Sequence, residues 1–295
     1  MTTPFDLNNE AAYQAWKQNK LAGYPTTLGE LLVEIKDPFA LTAGEKEAIL
    51  SRCAKANMAV FRLTDPQGVR ENPLPAITSQ LGIHDLDLNL GAGEEGLSAL
   101  TPGGSAFAPF AHYIPYRAAA IGWHTDGYYN PFYKPVQSLC LYCERPAHTG
   151  GENALWDHEM VYISLRDQNP EIIRDLMVTD VMTIPARLDA AGLVARPERP
   201  GPVFLVTEAG HLHMRFTNRT KSIRWRADEA TQRAVAAIRD VLSRPAAGFF
   251  QGRLEAGWGL ISNNLLHTRE AFQDLPDGAV RLLYRARFFD RLPTV

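Results

Sequence analysis

Apolar and polar residues recur along this chain with two different periods. In "LTAGEKEAILSRCAKAN" Thr42 is followed three residues on by Glu45, a capping box, and Ile49, Leu50 and Cys53 share one face. That pattern predicts a helix ending near Asn57, followed by the strand "MAVFRL". "NPEIIRDLM" predicts a shorter helix with Asn169 as N-cap and Pro170 in its first turn. A third helix is expected in "ADEATQRAVAAIRDVLSR", where Val235, Ile238, Val241 and Leu242 recur at helical spacing. Between these, short apolar runs separated by Pro/Gly loops predict strands: "VQSLCLYC", "NALWD", "VFLVT", "HLHMRF", "GWGLIS" and "RLLYRARFF".

Strands scattered along the whole chain without regular β-α alternation argue against a Rossmann or TIM architecture. They favour a mainly β fold with flanking helices, a jelly roll. One domain over residues 1–295 is expected, with loop insertions near 88–110 and 184–202. Connections that long serve as lids or binding loops, or are plain surface excursions.

Composition adds limits. The chain has 295 residues, 45% apolar and 21% charged, which suits a globular protein with a sizeable core. A formal charge of −3 and the lack of any Lys/Arg-rich run argue against nucleic acid as a partner. The start, "MTTPFDLNNE", lacks a secretory pattern, and nowhere do about 18 apolar residues run together as a membrane span requires. A cytoplasmic protein without membrane contact is expected, acting on a small molecule; a homo-oligomer is allowed. Cys53, Cys140 and Cys143 are too few for a disulfide framework. Cys140 and Cys143 lie three apart in a strand-like run, so they point to opposite faces and do not make a zinc pair.

The candidate chemistry starts at "AAAIGWHTD". If this is a strand running into a turn, His124 and Asp126 project from one face. One imidazole and one carboxylate leave a first-row metal short of ligands. A second His would complete a 2-His-1-carboxylate facial triad with three open positions. His84, His112, His148, His158, His211, His213 and His267 are the candidates. His267 stands out because a strand-like run breaks there into a polar loop, and 14 residues later "RLLYRARFF" begins. In that segment Arg281, Leu283, Arg285 and Arg287 share one face, while Leu282, Tyr284, Ala286 and Phe288 share the other. The arginine face either meets solvent or lines an interior pocket for an anionic ligand. His211 and His213 form a rival same-face pair, but no acidic residue follows at suitable spacing, and they read as structural, as does His158.

Together these residues resemble the taurine dioxygenase (TauD/TfdA-like) family of Fe(II)/2-oxoglutarate-dependent dioxygenases. The resemblance runs from "VFRLTD" near residue 60 to "RLLYRARFF" near 289. It rests on Trp123-His124-Thr125-Asp126, Gly150-Gly151-Glu152-Asn153, His267, and Arg281 to Arg285. It implies the double-stranded β-helix (jelly roll, clavaminate synthase-like), with Fe(II) held by His124, Asp126 and His267. Arg281 would pair with the distal carboxylate of 2-oxoglutarate. Asn153 stands where the family has a threonine on that carboxylate, and an Asn amide can also donate there. Arg285 would face the reaction centre and touch 2-oxoglutarate or an acidic group of the substrate.

The implied reaction uses O2 to hydroxylate a small polar, anionic or amino-acid-like substrate, with release of succinate and CO2. With Asp126 present, halogenation is not expected. The alternatives are an oxidative desaturase or rearrangement enzyme of the same family, a cosubstrate-independent cupin-like metalloenzyme, and a non-catalytic jelly-roll binding protein. Tyr128 and Tyr129 are the candidate substrate contacts, with Gly127, Phe132 and Tyr133 as further candidates for the pocket wall, set against simple core packing. Arg215, Arg219, Lys221 and Arg224 either meet an anionic substrate or form a solvated charge run.

Overall fold

A computed structural model describes residues 3–88, 92–93, 96–102, 113–189, 191–221, 223–244, 246–276 and 278–294. The chain forms two compact units, each assembled from three separated stretches. One comprises 25–122, 136–155 and 249–295, the other 1–24, 123–135 and 156–248.

The first unit is dominated by a six-stranded sheet. Its order is β1 (Leu32–Ile35), β2 (Met58–Leu63), β16 (Trp258–Ser262), β5 (Ser138–Arg145), β19 (Leu282–Phe288) and β3 (Ser98–Leu100). Only β1 and β2 pair in parallel; the other neighbours are antiparallel. A parallel pair needs a crossover, and α2 (Ala43–Ala56) supplies it. Its Thr42/Glu45 capping box forms as expected, and Asn57 ends the helix in the left-handed region at φ 58°.

Ile49 and Cys53 of α2 pack with Phe61, Cys140, Ile261, Ala286 and Phe288 on one face of this sheet. Cys143 and Leu283 pack with Leu100 and Tyr116 in a separate cluster. The two cysteines of the C-x-x-C therefore belong to different cores. All three thiols are free and buried. Burial raises the Cys143 pKa to about 12 and moves Cys53 and Cys140 upward too, so none is a reactive thiolate.

A second sheet has the order β15 (Phe249–Gly252), β7 (Asn153–Trp156), β17 (Leu266–Arg269), β4 (Ile121–His124). Beside it β6 (Thr149–Gly150) pairs with β18 (Phe272–Gln273). Gly150 is required in that ladder: its φ is +73°, and an added Cβ would lie 2.2 Å from the Ala271 carbonyl oxygen.

The other unit carries α1 (Glu10–Leu21), α4 (His158–Gln168), α5 (Pro170–Leu176) and α6 (Glu229–Leu242). α5 and α6 form where the pattern predicts, with the Asn169 side chain accepting from Glu171 N–H and Asp228 capping α6. α1 and α4 are capped as well, by Asn9 and Asp157, but carry no readable apolar stripe. Only Tyr13 and Lys20 of α1 are buried, so no apolar stripe marks it, whereas α4 is buried nearly all round. Packing holds both: Phe5 and Trp16 meet Tyr162 edge-on, and Tyr13 Oη donates to Asp167.

The 184–202 segment, expected as a loop insertion, contributes strands of its own. β8 (Met182–Ile184) joins β11 (Arg199–Gly201) and β14 (Arg224–Trp225), while β9 (Arg187–Leu188) and β10 (Val194–Arg196) form a hairpin. A further hairpin pairs β12 (Phe204–Val206) with β13 (Leu212–Met214). The expected 88–110 loop likewise contains β3; its residues 89–91, 94–95 and 103–110 lie outside the described residues. Among the described residues, no helix is long and apolar enough to cross a membrane.

Candidate active site

β4 ends at His124 and the chain turns immediately, so Asp126 opens a turn instead of extending the strand. The segment is pinned from the side. Thr125 N–H donates to Phe216 O, Phe216 N–H donates to Thr125 Oγ1 (both 3.0 Å), and Asn218 N–H donates to Trp123 O at 2.9 Å. His124 is bridged to Thr217 in the same run. Gly127 follows with φ +67°, a backbone setting that lets the turn close directly after the carboxylate. His124 Nε2 and Asp126 Oδ1 are 3.7 Å apart.

His267 is buried on β17, and its Nδ1 lies 3.1 Å from the Leu265 carbonyl oxygen. A neutral ring donating through Nδ1–H leaves the Nε2 lone pair for a metal. One ligand atom each from His124, Asp126 and His267 lie within 4.8 Å of one another. Two imidazole nitrogens and a carboxylate oxygen at this mutual distance fit an open-sided first-row divalent metal site. No other cluster of this kind occurs among the described residues. His84 and His148 are exposed, and His158 Nε2 is hydrogen-bonded to Leu212 O at 3.1 Å. His211 and His213 flank Leu212 on the β12–β13 hairpin; His112 lies outside the described residues.

The arginine face of β19 is interior. Arg281, Arg285 and Arg287 are 4%, 9% and 1% exposed, which rules out the solvent reading. Their surroundings differ. Arg287 makes a buried ion pair with Asp87 and is neutralised there. Arg281 stacks its guanidinium 4.8 Å from the Phe272 ring centroid, and burial lowers its pKa. Gly151 brings bare backbone beside it: an added Cβ would sit 3.7 Å from Arg281 Nε. Arg285 lies opposite Leu141 on one side and Ser98 on the other.

Asn153 opens β7. Its Nδ2 donates to Thr268 O at 2.8 Å, tying β7 to the strand that carries His267, and its Oδ1 is buried without a hydrogen-bond partner. Arg269, two residues beyond His267, is a positioning residue that sequence reasoning missed. Its guanidinium donates to the carbonyls of Pro115, Arg117 and Ala119, fixing the chain that leads into β4. Burial, with Arg281 nearby, lowers its pKa to about 10. The signal was present in the alternation of "LHTR", which puts residues 267 and 269 on one face.

Tyr128 and Tyr129 are half-buried and meet edge-on with centroids 5.4 Å apart; Tyr128 Oη accepts from Arg219 Nη1 at 3.2 Å. Phe132 and Tyr133 are 36% and 78% exposed, so simple core packing does not account for them. The basic run after β13 splits similarly: Arg215 is buried and Arg219 half-buried, while Lys221 and Arg224 are exposed, the latter paired with Glu198.

Residues 33–287 match the profile of the taurine catabolism dioxygenase TauD, TfdA family. The chain belongs to the TauD/TfdA family. As a TauD/TfdA-family protein it is an Fe(II)/2-oxoglutarate-dependent oxygenase, with Fe(II), 2-oxoglutarate and O2 as its cofactor and cosubstrates. That replaces the cosubstrate-independent and non-catalytic alternatives.

A uridine-5'-phosphate dioxygenase of Streptomyces sp is 32% identical over 265 residues, 84% of this chain and 84% of that one. One of the same name from Amycolatopsis sp is 29% identical over 173 residues, 56% of this chain and 60% of its own. Among solved structures, the non-heme iron oxygenase OrfP in complex with Fe and alpha-ketoglutaric acid is 19% identical, with a TM-score of 0.59 over 95% of this chain and 91% of that one. Asparagine oxygenase with Fe(II), hydroxyasparagine and succinate is 16% identical, with a TM-score of 0.55 over 97% and 91%. At these identities the likeness to solved structures is one of fold.

Proposed function

We propose that this TauD/TfdA-family oxygenase hydroxylates a small, polar, phosphate-bearing substrate of the nucleoside monophosphate kind, converting 2-oxoglutarate to succinate and CO2. The observation that carries the reading is the convergence of His124, Asp126 and His267 to within 4.8 Å. The substrate class is supported by the uridine-5'-phosphate dioxygenases to which the chain is similar. On this reading the architecture is the jelly roll, the double-stranded β-helix of these oxygenases.

The imidazoles of His124 and His267 and the carboxylate of Asp126 would hold the metal on one side. The bound iron supplies oxygen activation coupled to 2-oxoglutarate decarboxylation. The chain's own residues position the reactants. Arg281 is buried, always charged and able to bind a carboxylate through two parallel N–H donors, and it anchors the distal carboxylate of 2-oxoglutarate. Arg285 lies four residues along the same strand face and meets an acidic group of cosubstrate or substrate. Asn153 commits one N–H to Thr268 O, so its main work is to hold β17 beside β7, with its second N–H left for the cosubstrate. Tyr128 and Tyr129 wall the substrate side.

The test is turnover of the Fe(II)-loaded chain in air with 2-oxoglutarate and uridine 5'-monophosphate, following oxygen uptake, succinate and product mass. Succinate release stimulated by the nucleotide, with a product that has gained one oxygen atom, is expected. A product that has lost two hydrogens instead would assign desaturation. No stimulation by any phosphate-bearing compound would overturn the substrate class.

A further inference from the structure

We propose that Arg196, Arg199 and Arg219, braced by Arg215, form an anion clamp that binds the phosphate of the substrate; this rests on the oxygenase reading above and assigns its substrate anchor. The β9–β10 ladder sets Arg196 directly opposite Arg187. Like charges facing each other across antiparallel strands repel, and the Arg196 guanidinium is oriented by neutral carbonyls, Pro185 O at 2.6 Å and Pro197 O at 3.4 Å, which leave its charge in place. Arg199 begins β11 three residues later and adds a further positive charge.

Arg215 is packed against the β8–β11 ladder, 3% exposed. Its Nη1 donates to Met182 O at 2.9 Å and Gly201 O at 3.4 Å, and its Nη2 donates to Arg199 O at 2.8 Å. These acceptors are neutral carbonyls, so they orient the guanidinium without cancelling its charge. The Nε–H groups of Arg199 and Arg215 are buried with no hydrogen-bond acceptor. Burial first, then Arg196, lowers the Arg215 pKa to about 10; burial, Arg187 and Arg199 lower that of Arg196.

The acidic groups near this cluster are engaged elsewhere. Glu198 pairs with Arg224 at 3.0 Å, Asp180 with Arg226 at 3.4 Å, and Asp189 accepts from the backbone N–H groups of Ala191 and Leu193 in its own hairpin tip. Among the described residues, no ion pair uses Arg196, Arg199, Arg215 or Arg219.

The cluster is also tied to the metal-binding segment. Arg219 follows two residues after Thr217, the partner of His124, and its Nη1 reaches Tyr128, which is two residues past Asp126. The phenols of Tyr128 and Tyr129 lie within electrostatic range of Arg196. A phosphate monoester, with close to two negative charges and three acceptor oxygens, is the ligand class that compensates several partly desolvated guanidiniums at once. The sequence marked Arg215 and Arg219 as candidates for an anionic substrate; Arg196 and Arg199 come from separate strands that only the register brings to them.

The test is calorimetric binding of uridine 5'-monophosphate and of uridine to the full chain, wild type and the variants Arg196→Gln, Arg219→Gln and Arg196→Lys, with 2-oxoglutarate binding to Fe(II)-loaded protein measured separately. Wild type is expected to bind the monophosphate at least about tenfold more tightly than uridine, as charge-assisted hydrogen bonds provide. Each Gln variant should lose most of that gap while keeping its uridine affinity, which also reports intact folding. Arg196→Lys should retain part of it. Equal wild-type affinity for the two ligands, or a gap undiminished in both Gln variants, overturns the clamp. If 2-oxoglutarate fails to bind while the Arg-dependent gap persists, the clamp stands and the assigned cosubstrate site falls; the converse result removes the clamp alone.

Discussion

At His267 the Nδ1 atom lies 3.1 Å from the Leu265 carbonyl oxygen, which leaves Nε2 as the proposed metal ligand. The three arginines of β19 show a similar division. Arg287 is spent on Asp87, whereas Arg281 is buried beside Phe272 and Gly151 with no ion-pair carboxylate among the described residues. Arg281→Ala is therefore expected to raise the 2-oxoglutarate KM by about 10- to 100-fold, the loss of charge-assisted hydrogen bonds worth about 1.5–3 kcal/mol, while iron affinity stays unchanged. Steady-state kinetics against 2-oxoglutarate decide it, and an unchanged KM moves the anchor to Arg285. At this scale the sequence was legible where alternation alone sets direction, as for Arg281 and Arg285. It marked the face of Arg269 but not its role, and was silent on Arg196, because both roles depend on which backbone carbonyls or opposing strands they meet after folding.

Among elements, the short β6–β18 ladder sets how closely the Gly-Gly segment approaches Arg281. Gly150→Ala places a Cβ against Ala271 O in a left-handed backbone setting and should cost about 1–3 kcal/mol of stability. Urea unfolding measures it, and a cost below about 0.5 kcal/mol would mean that the ladder relaxes freely. Helices whose cap comes with a periodic apolar face or a first-turn Pro were readable beforehand, as α2, α5 and α6 illustrate. α1 lacks the stripe and α4 is buried on nearly every side, so neither has a helical period to read. The 184–202 stretch read as a loop because its strands are only two or three residues long and interrupted by Pro and Gly.

For the molecule as a whole, stability includes one buried ionic cluster away from the site. Lys20 Nζ lies 2.7 Å from Asp157 Oδ2 and 2.5 Å from Glu159 Oε2, and Tyr24 Oη donates to Asp157 at 2.9 Å, joining the end of α1 to the start of α4. Lys20→Met leaves two carboxylates buried without their cation and should destabilise by about 3–5 kcal/mol. Burial by itself would lower the Lys20 pKa, but Asp157 and Glu159 outweigh it and raise the value. A raised folded-state pKa on a cationic group means this contribution is complete at neutral pH and fades only as pH climbs through the alkaline range. Thermal unfolding of wild type and variant from neutral to alkaline pH should show the difference narrowing upward; a constant difference would contradict the pairing.

On the proposed reading, His124, Asp126 and His267 together hold one ferrous ion. Crystals grown anaerobically with Fe(II), with diffraction collected at the iron absorption edge, test it most directly. One strong anomalous peak bonded to both imidazoles and the carboxylate is expected in wild type, and none there in His267→Ala. An iron peak elsewhere, or one that persists unchanged in the variant, would contradict it.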